Sequence, residues 1–271
     1  MLHFFHTWEP TAVALSLGII TIHWYGLLIA SAVVIFLLLA KRLLPKTMSF
    51  DEFTEAVLVT IVSGLIGARL YEVFVINWWY YQQDLWAIFR VWEGGLAIHG
   101  GIIFGALALY GWCRWRQKHF WQLTDIAVVG LPLAQAIGRW GNYFNQELFG
   151  RPTSGWWGIP ISVDNRPEEF MSVTHFQPLF LYESLLNLGL FGILFFIYKR
   201  GKLHVGQLSG LYLIGYGLIR FGMEWLRIDP TPLVCGIRLP QLLSVLLIVV
   251  GIALYFWRRE HVYNCLILDK K

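Results

Sequence analysis

Seven stretches of this 271-residue chain are each long and apolar enough to cross a bilayer, for which a helix needs roughly 20 residues. They run near 17–40, 54–76, 96–113, 121–140, 178–198, 207–226 and 239–257. Backbone placed in hydrocarbon must satisfy its own hydrogen bonds, and one isolated segment can do so only as a helix. Composition agrees, with 57% hydrophobic residues, a mean hydropathy of +0.57 and only 14% charged residues, where a soluble domain carries about a quarter. The expected fold class is an all-α polytopic membrane protein of seven transmembrane helices. Residues 1–271 read as one domain without repeats or low-complexity tracts.

The turns KRLLPK, RWRQK, KRGK and RREH follow the first, third, fifth and seventh blocks. Excess Lys and Arg marks cytoplasmic loops, so the N-terminus is expected outside and the C-terminus in the cytoplasm. All lysines, Lys41, Lys46, Lys118, Lys199, Lys202, Lys270 and Lys271, then lie inside. The spans and the outer side hold only arginines: Arg69, Arg90, Arg139, Arg151, Arg166, Arg220, Arg227 and Arg238. That choice favours guanidinium geometry over generic charge. The net charge of +4 follows this topology and gives no reason to expect nucleic acid.

Two outer segments stand apart. NWWYYQQDLWAIFRVW (77–92) reads either as a helix lying in the interface or as an ordinary aromatic belt. Residues 141–177, rich in Pro, Gly and Trp, read as an ordered extracytoplasmic cap. MLHFFHTWEP lacks the basic start of a signal peptide, so the first apolar block is expected to be retained. Cys113, Cys235 and Cys265 suggest neither a disulfide framework nor a metal site.

Ionisable groups inside spans are costly, and each is a candidate functional residue. In the derived orientation they gather at one depth, the outer half: Tyr25, Arg69, Glu72, His99, Arg139, Asn142, Tyr182, Glu183, Arg220, Glu224, Arg227, Gln241 and Ser244. The inner halves are nearly pure hydrocarbon formers. A channel or pump would carry polar groups through the whole thickness. This pattern describes a site open to the outer leaflet. Arg220, Glu224 and Arg227 are spaced to share a helical face, as are Arg139, Asn142 and Gln146 if their helix continues. Glu224 can neutralise one arginine and leave another for a ligand. Arginines from two helices make a phosphate clamp, and the plentiful phosphate of an outer leaflet belongs to phospholipid headgroups. Structural readings compete. The Arg220–Glu224–Arg227 set also fits an ion network, Arg69–Glu72 fits a structural pair, and Gly94, Gly95, Gly100, Gly101 and Gly105 fit close helix packing. His99 fits a packing histidine as well as a catalytic one, and His3, His23 and His175 have weaker claims.

The stretch GRWGNYFNQELFG (138–150) resembles the prolipoprotein diacylglyceryl transferase family, bacterial membrane enzymes that begin lipoprotein modification. It matches the family's G-R-x-G-N-F-x-N-x-E-x-x-G through Gly138, Arg139, Gly141, Asn142, Asn145, Glu147 and Gly150, with Tyr143 in place of phenylalanine. HWYG (23–26), GARLYEV (67–73), GGLAIHGG (94–101), LYE (181–183), RFGMEWLR (220–227) and QLLS (241–244) follow in the family's order. Gln177-Pro178 stands where the family has His-Pro, and Asp229-Pro230 where it has Pro-Asp.

The resemblance implies transfer of diacylglyceryl from phosphatidylglycerol to the lipobox cysteine of prolipoproteins, in the bacterial cytoplasmic (inner) membrane among its lipids. Glycerol phosphate leaves, and neither metal nor soluble cofactor is needed. The thiol must become a thiolate, which makes His99 the candidate base. The leaving phosphate needs fixed positive partners, which makes Arg139 and Arg220 the candidates. Tyr25, Asn142, Asn145, Glu147, Glu224 and Arg227 are expected to bind the headgroup or orient the arginines. Cys113 and Cys265 map to the inner side, and the nucleophile belongs to the substrate. A non-enzymatic lipid-binding protein or transporter is the rival class. It accounts for the arginines but not for the motif.

Overall fold

The computed structural model describes residues 2–18 and 20–268, with side chains for 5–18 and 21–259. Lys270 and Lys271 and the side chains of His3 and Cys265 lie outside the described residues. In chain order the elements are α1 (Leu2–Thr7), β1 (Val13–Leu17), β2 (Ile20–His23), α2 (Trp24–Lys41), α3 (Phe50–Tyr71), α4 (Trp78–Tyr81), α5 (Ile98–Trp115) and α6 (Phe120–Phe144). Then come β3 (Ile159–Pro160), β4 (His175–Phe176), α7 (Leu179–Arg200), α8 (Gln207–Glu224), β5 (Leu233–Val234), β6 (Ile237–Arg238) and α9 (Leu239–Leu268).

Among the described residues, five helices are long and apolar enough to cross a membrane: Trp24–Lys41, Phe50–Ile76, Phe120–Phe144, Leu179–Arg200 and Leu239–Arg259. Protein buries only 11% of the apolar windows in α2 and α9, so most of that surface requires lipid. The protein is a mostly helical, polytopic membrane protein. The blocks at 96–113 and 207–226 are helices of 18 residues whose glycines and polar residues dilute the apolar run. The expected span 17–40 is only partly helical. Its first residues belong to an antiparallel hairpin, β1–β2, because Gly18 turns the chain at φ +61° and the β-branched ITI run pairs back.

The chain divides into two compact units, Met1–Arg42 with Thr124–Lys271, and Leu43–Leu123. In the first, α8 and α9 approach backbone to backbone. A Cβ on Gly210 would lie 2.8 Å from the Gly251 carbonyl oxygen, and one on Gly217 would lie 2.9 Å from that of Ser244. Small residues drive such packing in lipid, where hydrophobicity alone gives helices no reason to associate. α8 begins at Gly206 without a cap of its own. Asp125 of α6 supplies one, accepting from the Gly206 and Ser209 amides at 2.6 and 2.8 Å and from Ser209 Oγ at 2.7 Å. Between α6 and α7, β3 pairs with β4 over a small core of Tyr143, Phe149, Ile159, Ile161, Phe176 and Phe180.

In the second unit, α3 starts at a capping box, Ser49 with Glu52, and extends through a π-helical turn, Glu72–Ile76. α3 and α5 meet through glycines, as the packing reading of that cluster expects. A Cβ on Gly100 would sit 2.3 Å from the Gly67 carbonyl oxygen. Residues 77–92 are not one helix. They form the single turn α4 and then 3-10 turns, and Trp79, Trp86 and Trp92 stay exposed. The organiser is Arg69, buried at the end of α3. It donates to the carbonyls of Ala87, Ile88, Arg90, Gly94 and Gly95 at 2.5–3.2 Å. Arg69 is therefore structural, but its partners are these carbonyls. Glu72 instead accepts from Asn77 Nδ2 at 2.6 Å.

Candidate active site

The site begins where α6 ends. Gln146 and Leu148 take φ of +52° and +55°, a conformation that costs a non-glycine residue energy and that stops the helix. The Gln146 side chain offsets that cost. Its Nε2 donates to the Pro10 carbonyl at 2.7 Å, and its Oε1 accepts from the Ser162 amide at 2.6 Å. The helical continuation that would have placed Gln146 with Arg139 and Asn142 is absent, and Gln146 ties the exit of α6 to flanking segments. Further on, the Gly150 amide donates to the Gln177 carbonyl at 3.0 Å, and Gly150 bridges the backbone of Arg227. Any Cβ there would lie 2.2 Å from Leu179. Those contacts bring the exit of α6, the start of α7 and the end of α8 together.

Four arginines and three carboxylates meet at this junction. Glu183, on the first turns of α7 and only 4% exposed, is the hub. Its Oε2 is 2.5 Å from Arg139 Nε, and its Oε1 is 3.9 Å from Arg220 Nη1 and 3.7 Å from Arg227 Nη1. Glu224, completely buried, faces Arg220 Nη2 at 2.8 Å and Arg238 Nε at 3.3 Å. Arg227 Nε reaches Asp229 at 3.0 Å. Over these ion pairs four arginines face three carboxylates, and Glu147 stands one hydrogen bond behind, on Asn142. Arg220 Nη1 is buried without a hydrogen-bond acceptor among the described residues, and both Glu224 oxygens, although ion-paired, are buried without a hydrogen-bond donor. A buried charged donor left open is costly, and an anion would fill it. Arg227 is not on the α8 face, because the helix ends at Glu224, a turn follows at 225–226, and Arg227 pairs with Gly150 beyond it. It joins the cluster through Glu183 rather than through helical spacing.

The motif residues orient Arg139. Its Nη1 donates to Asn142 Oδ1 at 3.2 Å, and Asn142 Nδ2 donates to Glu147 Oε1 at 2.7 Å. Asn145 Nδ2 reaches the same oxygen at 3.4 Å. Tyr25, near the start of α2, lies over Gly141, where a Cβ would fall 2.3 Å from its ring. Arg139, Asn142, Asn145, Glu147, Tyr25, Arg220, Glu224 and Arg227 all belong to the first unit. His99 belongs to the second, exposed on the first turn of α5 with its ring 6.2 Å from that of Tyr71. Arg151, in the segment after the motif, donates to the Trp225 carbonyl at 3.0 Å.

Sequence reasoning gave no site role to Glu183, Arg238 or Asp229. Glu183 carried a signal, since its depth and the LYE motif set it beside the arginines, but its role as common partner depends on the tertiary structure. Arg238 carried only the general preference for arginine over lysine. Glu183 is also the physical reason that three arginines can crowd together.

Relatives carry the same chemistry in their names. The chain is 40% identical to a phosphatidylglycerol–prolipoprotein diacylglyceryl transferase of Prochlorococcus marinus (strain NATL2A), over 92% of this chain and 91% of that relative. It is 41% identical to one of Synechocystis sp., over 92% and 89%. It is 40% identical to one of Symbiobacterium thermophilum, over 90% and 91%. Residues 12–257 match the family model for prolipoprotein diacylglyceryl transferase, and the chain belongs to that family.

Proposed function

We propose that the protein transfers the diacylglyceryl group of phosphatidylglycerol to the lipobox cysteine of prolipoproteins. A thioether forms and glycerol phosphate leaves. The observation that carries the reading is the cluster of Arg139, Arg220, Arg227 and Arg238 around Glu183 and Glu224, with an open donor on Arg220. In the transfer, the cysteine sulfur attacks the glyceryl carbon that bears the phosphate. The carbon–oxygen bond breaks, and its electron pair stays on the phosphate oxygen. Arg139 and Arg220 hold the phosphate while that charge grows, a stabilisation that matters most in the transition state. Asn142, Asn145 and Glu147 fix the plane of Arg139, Glu224 orients Arg220, Arg227 balances Glu183, and Tyr25 borders the headgroup. His99 is assigned as the base that takes the thiol proton, on the chemistry of its imidazole.

Residues 1–271 act in this reading as one catalytic domain of the bacterial cytoplasmic membrane. It has seven spans, an outer N-terminus, a cytoplasmic C-terminus, an outer cap at 141–177 and a site open to the outer leaflet. The distribution of lysine supports that orientation. The test is purified protein with phosphatidylglycerol and a lipobox peptide, read by mass spectrometry. A diacylglyceryl adduct on the peptide cysteine is expected. Lipid binding or movement without the adduct would overturn the reading in favour of a lipid carrier.

A further inference from the structure

Arg220 and Arg238 share one carboxylate, Glu224, yet the structure occupies them differently. Arg238 is engaged by protein through all three of its nitrogens. Its Nε donates to Thr231 Oγ1 at 2.8 Å and lies 3.3 Å from Glu224 Oε1. Its Nη1 donates to the carbonyls of Glu224 and Arg227 at 3.0 and 2.9 Å, and its Nη2 donates to that of Asp229. Arg220 spends Nη2 on Glu224 at 2.8 Å and leaves Nη1 buried without an acceptor among the described residues. A completely buried carboxylate paired to one guanidinium would cancel that guanidinium's field for any third group. Glu224 meets two.

We propose that Arg238 is a positioning residue for diacylglyceryl transfer: by sharing Glu224 it leaves Arg220 with positive charge to spare at Nη1, where the phosphodiester of the lipid donor is held. This rests on the reading of the cluster as a phosphate site. Arg238 also caps the end of α8 through the Glu224 and Arg227 carbonyls. A purely structural role would stop there, and the two roles separate by charge.

The test is steady-state peptide lipidation at varied phosphatidylglycerol, with thermal unfolding of each variant. Arg238→Gln should raise KM for phosphatidylglycerol roughly tenfold, the effect of about 1.4 kcal/mol, and leave KM for the peptide unchanged. Arg238→Lys keeps the charge beside Glu224, so KM should stay near wild type while the unfolding temperature falls. Arg238→Gln with Glu224→Gln removes one charge of each sign and keeps an oxygen of the same size beside Arg220 Nη2. KM should return toward wild type. A folded Arg238→Gln protein with unchanged KM, or a double variant no better than Arg238→Gln, would overturn the proposal. If Arg238→Gln does not fold, Arg238→Lys decides: wild-type KM supports the proposal, and a tenfold rise refutes it. Arg139→Lys, run alongside, separates the premises. If it too is unaffected, the phosphate reading itself fails; if it alone is impaired, only the role of Arg238 fails.

Discussion

Replacing Arg139 by lysine keeps the charge and removes the fork, which makes it the sharpest probe of the cluster. The guanidinium is held on two sides. Nε lies 2.5 Å from Glu183 Oε2, and Nη1 donates to Asn142 Oδ1 at 3.2 Å. No described residue takes the donors on Nη2, which leaves them for a ligand. An ammonium is a single point, so one drawn to Glu183 gives up both Asn142 and the planar contact to phosphate. Losing one charged partner of a buried anion costs about 2–5 kcal/mol, a loss of roughly thirtyfold to several thousandfold. Folding should survive, because Glu183 keeps Arg227 and Arg220 at 3.7 and 3.9 Å. The assay is lipidation of a lipobox peptide by purified variants of matched thermal stability. Arg139→Lys and Arg220→Lys should each nearly abolish transfer, and Arg151→Lys, whose one described bond goes to a carbonyl, should be mild. Near-normal turnover in Arg139→Lys would refute the phosphate clamp. Loss of folding would return the arginines to a structural network.

Gly141→Ala should displace the Tyr25 ring, since the added Cβ falls 2.3 Å from it, and should cost about 1–3 kcal/mol of stability together with activity. Gly138→Ala, whose nearest neighbour is Ile29 at 3.7 Å, is the matched mild control. Tyr143→Phe should leave thermal stability unchanged or raise it by about 1 kcal/mol, because the buried hydroxyl has no hydrogen-bond partner among the described residues; a clear loss would contradict this. His99→Gln should cut turnover while lipid binding and unfolding temperature persist; joint loss of stability and activity would mark His99 as a packing residue. Cysteines placed at Lys199 and Asp164 should label from opposite sides of the membrane, and labelling from one side would remove the outer-leaflet argument.

Much of this molecule is legible in the sequence alone. Apolar blocks long enough to span identified a membrane protein, because hydrophobicity is summed over neighbouring residues. The choice of arginine over lysine on one side, and the GRWGN motif, selected Arg139, Asn142, Arg220 and Glu224. Their chemistry is a property of residue type. Helix packing through Gly100 and Gly101 was legible for the same reason. Local periodicity failed where another segment supplied the missing hydrogen bonds. The Pro10 carbonyl and the Ser162 amide let Gln146 leave the helix, and the β1–β2 hairpin took the first residues of an apolar run that reads equally well as a span. Arg69 left its helical neighbour Glu72 because the loop at 87–95 offered it five carbonyls. Only the tertiary structure decided that Glu183 would be the common partner of Arg139, Arg220 and Arg227, and that Arg238 would share Glu224. A buried charge is settled by whichever opposite charge the fold delivers within a few ångströms, and those partners come from three helices and a hairpin far apart along the chain.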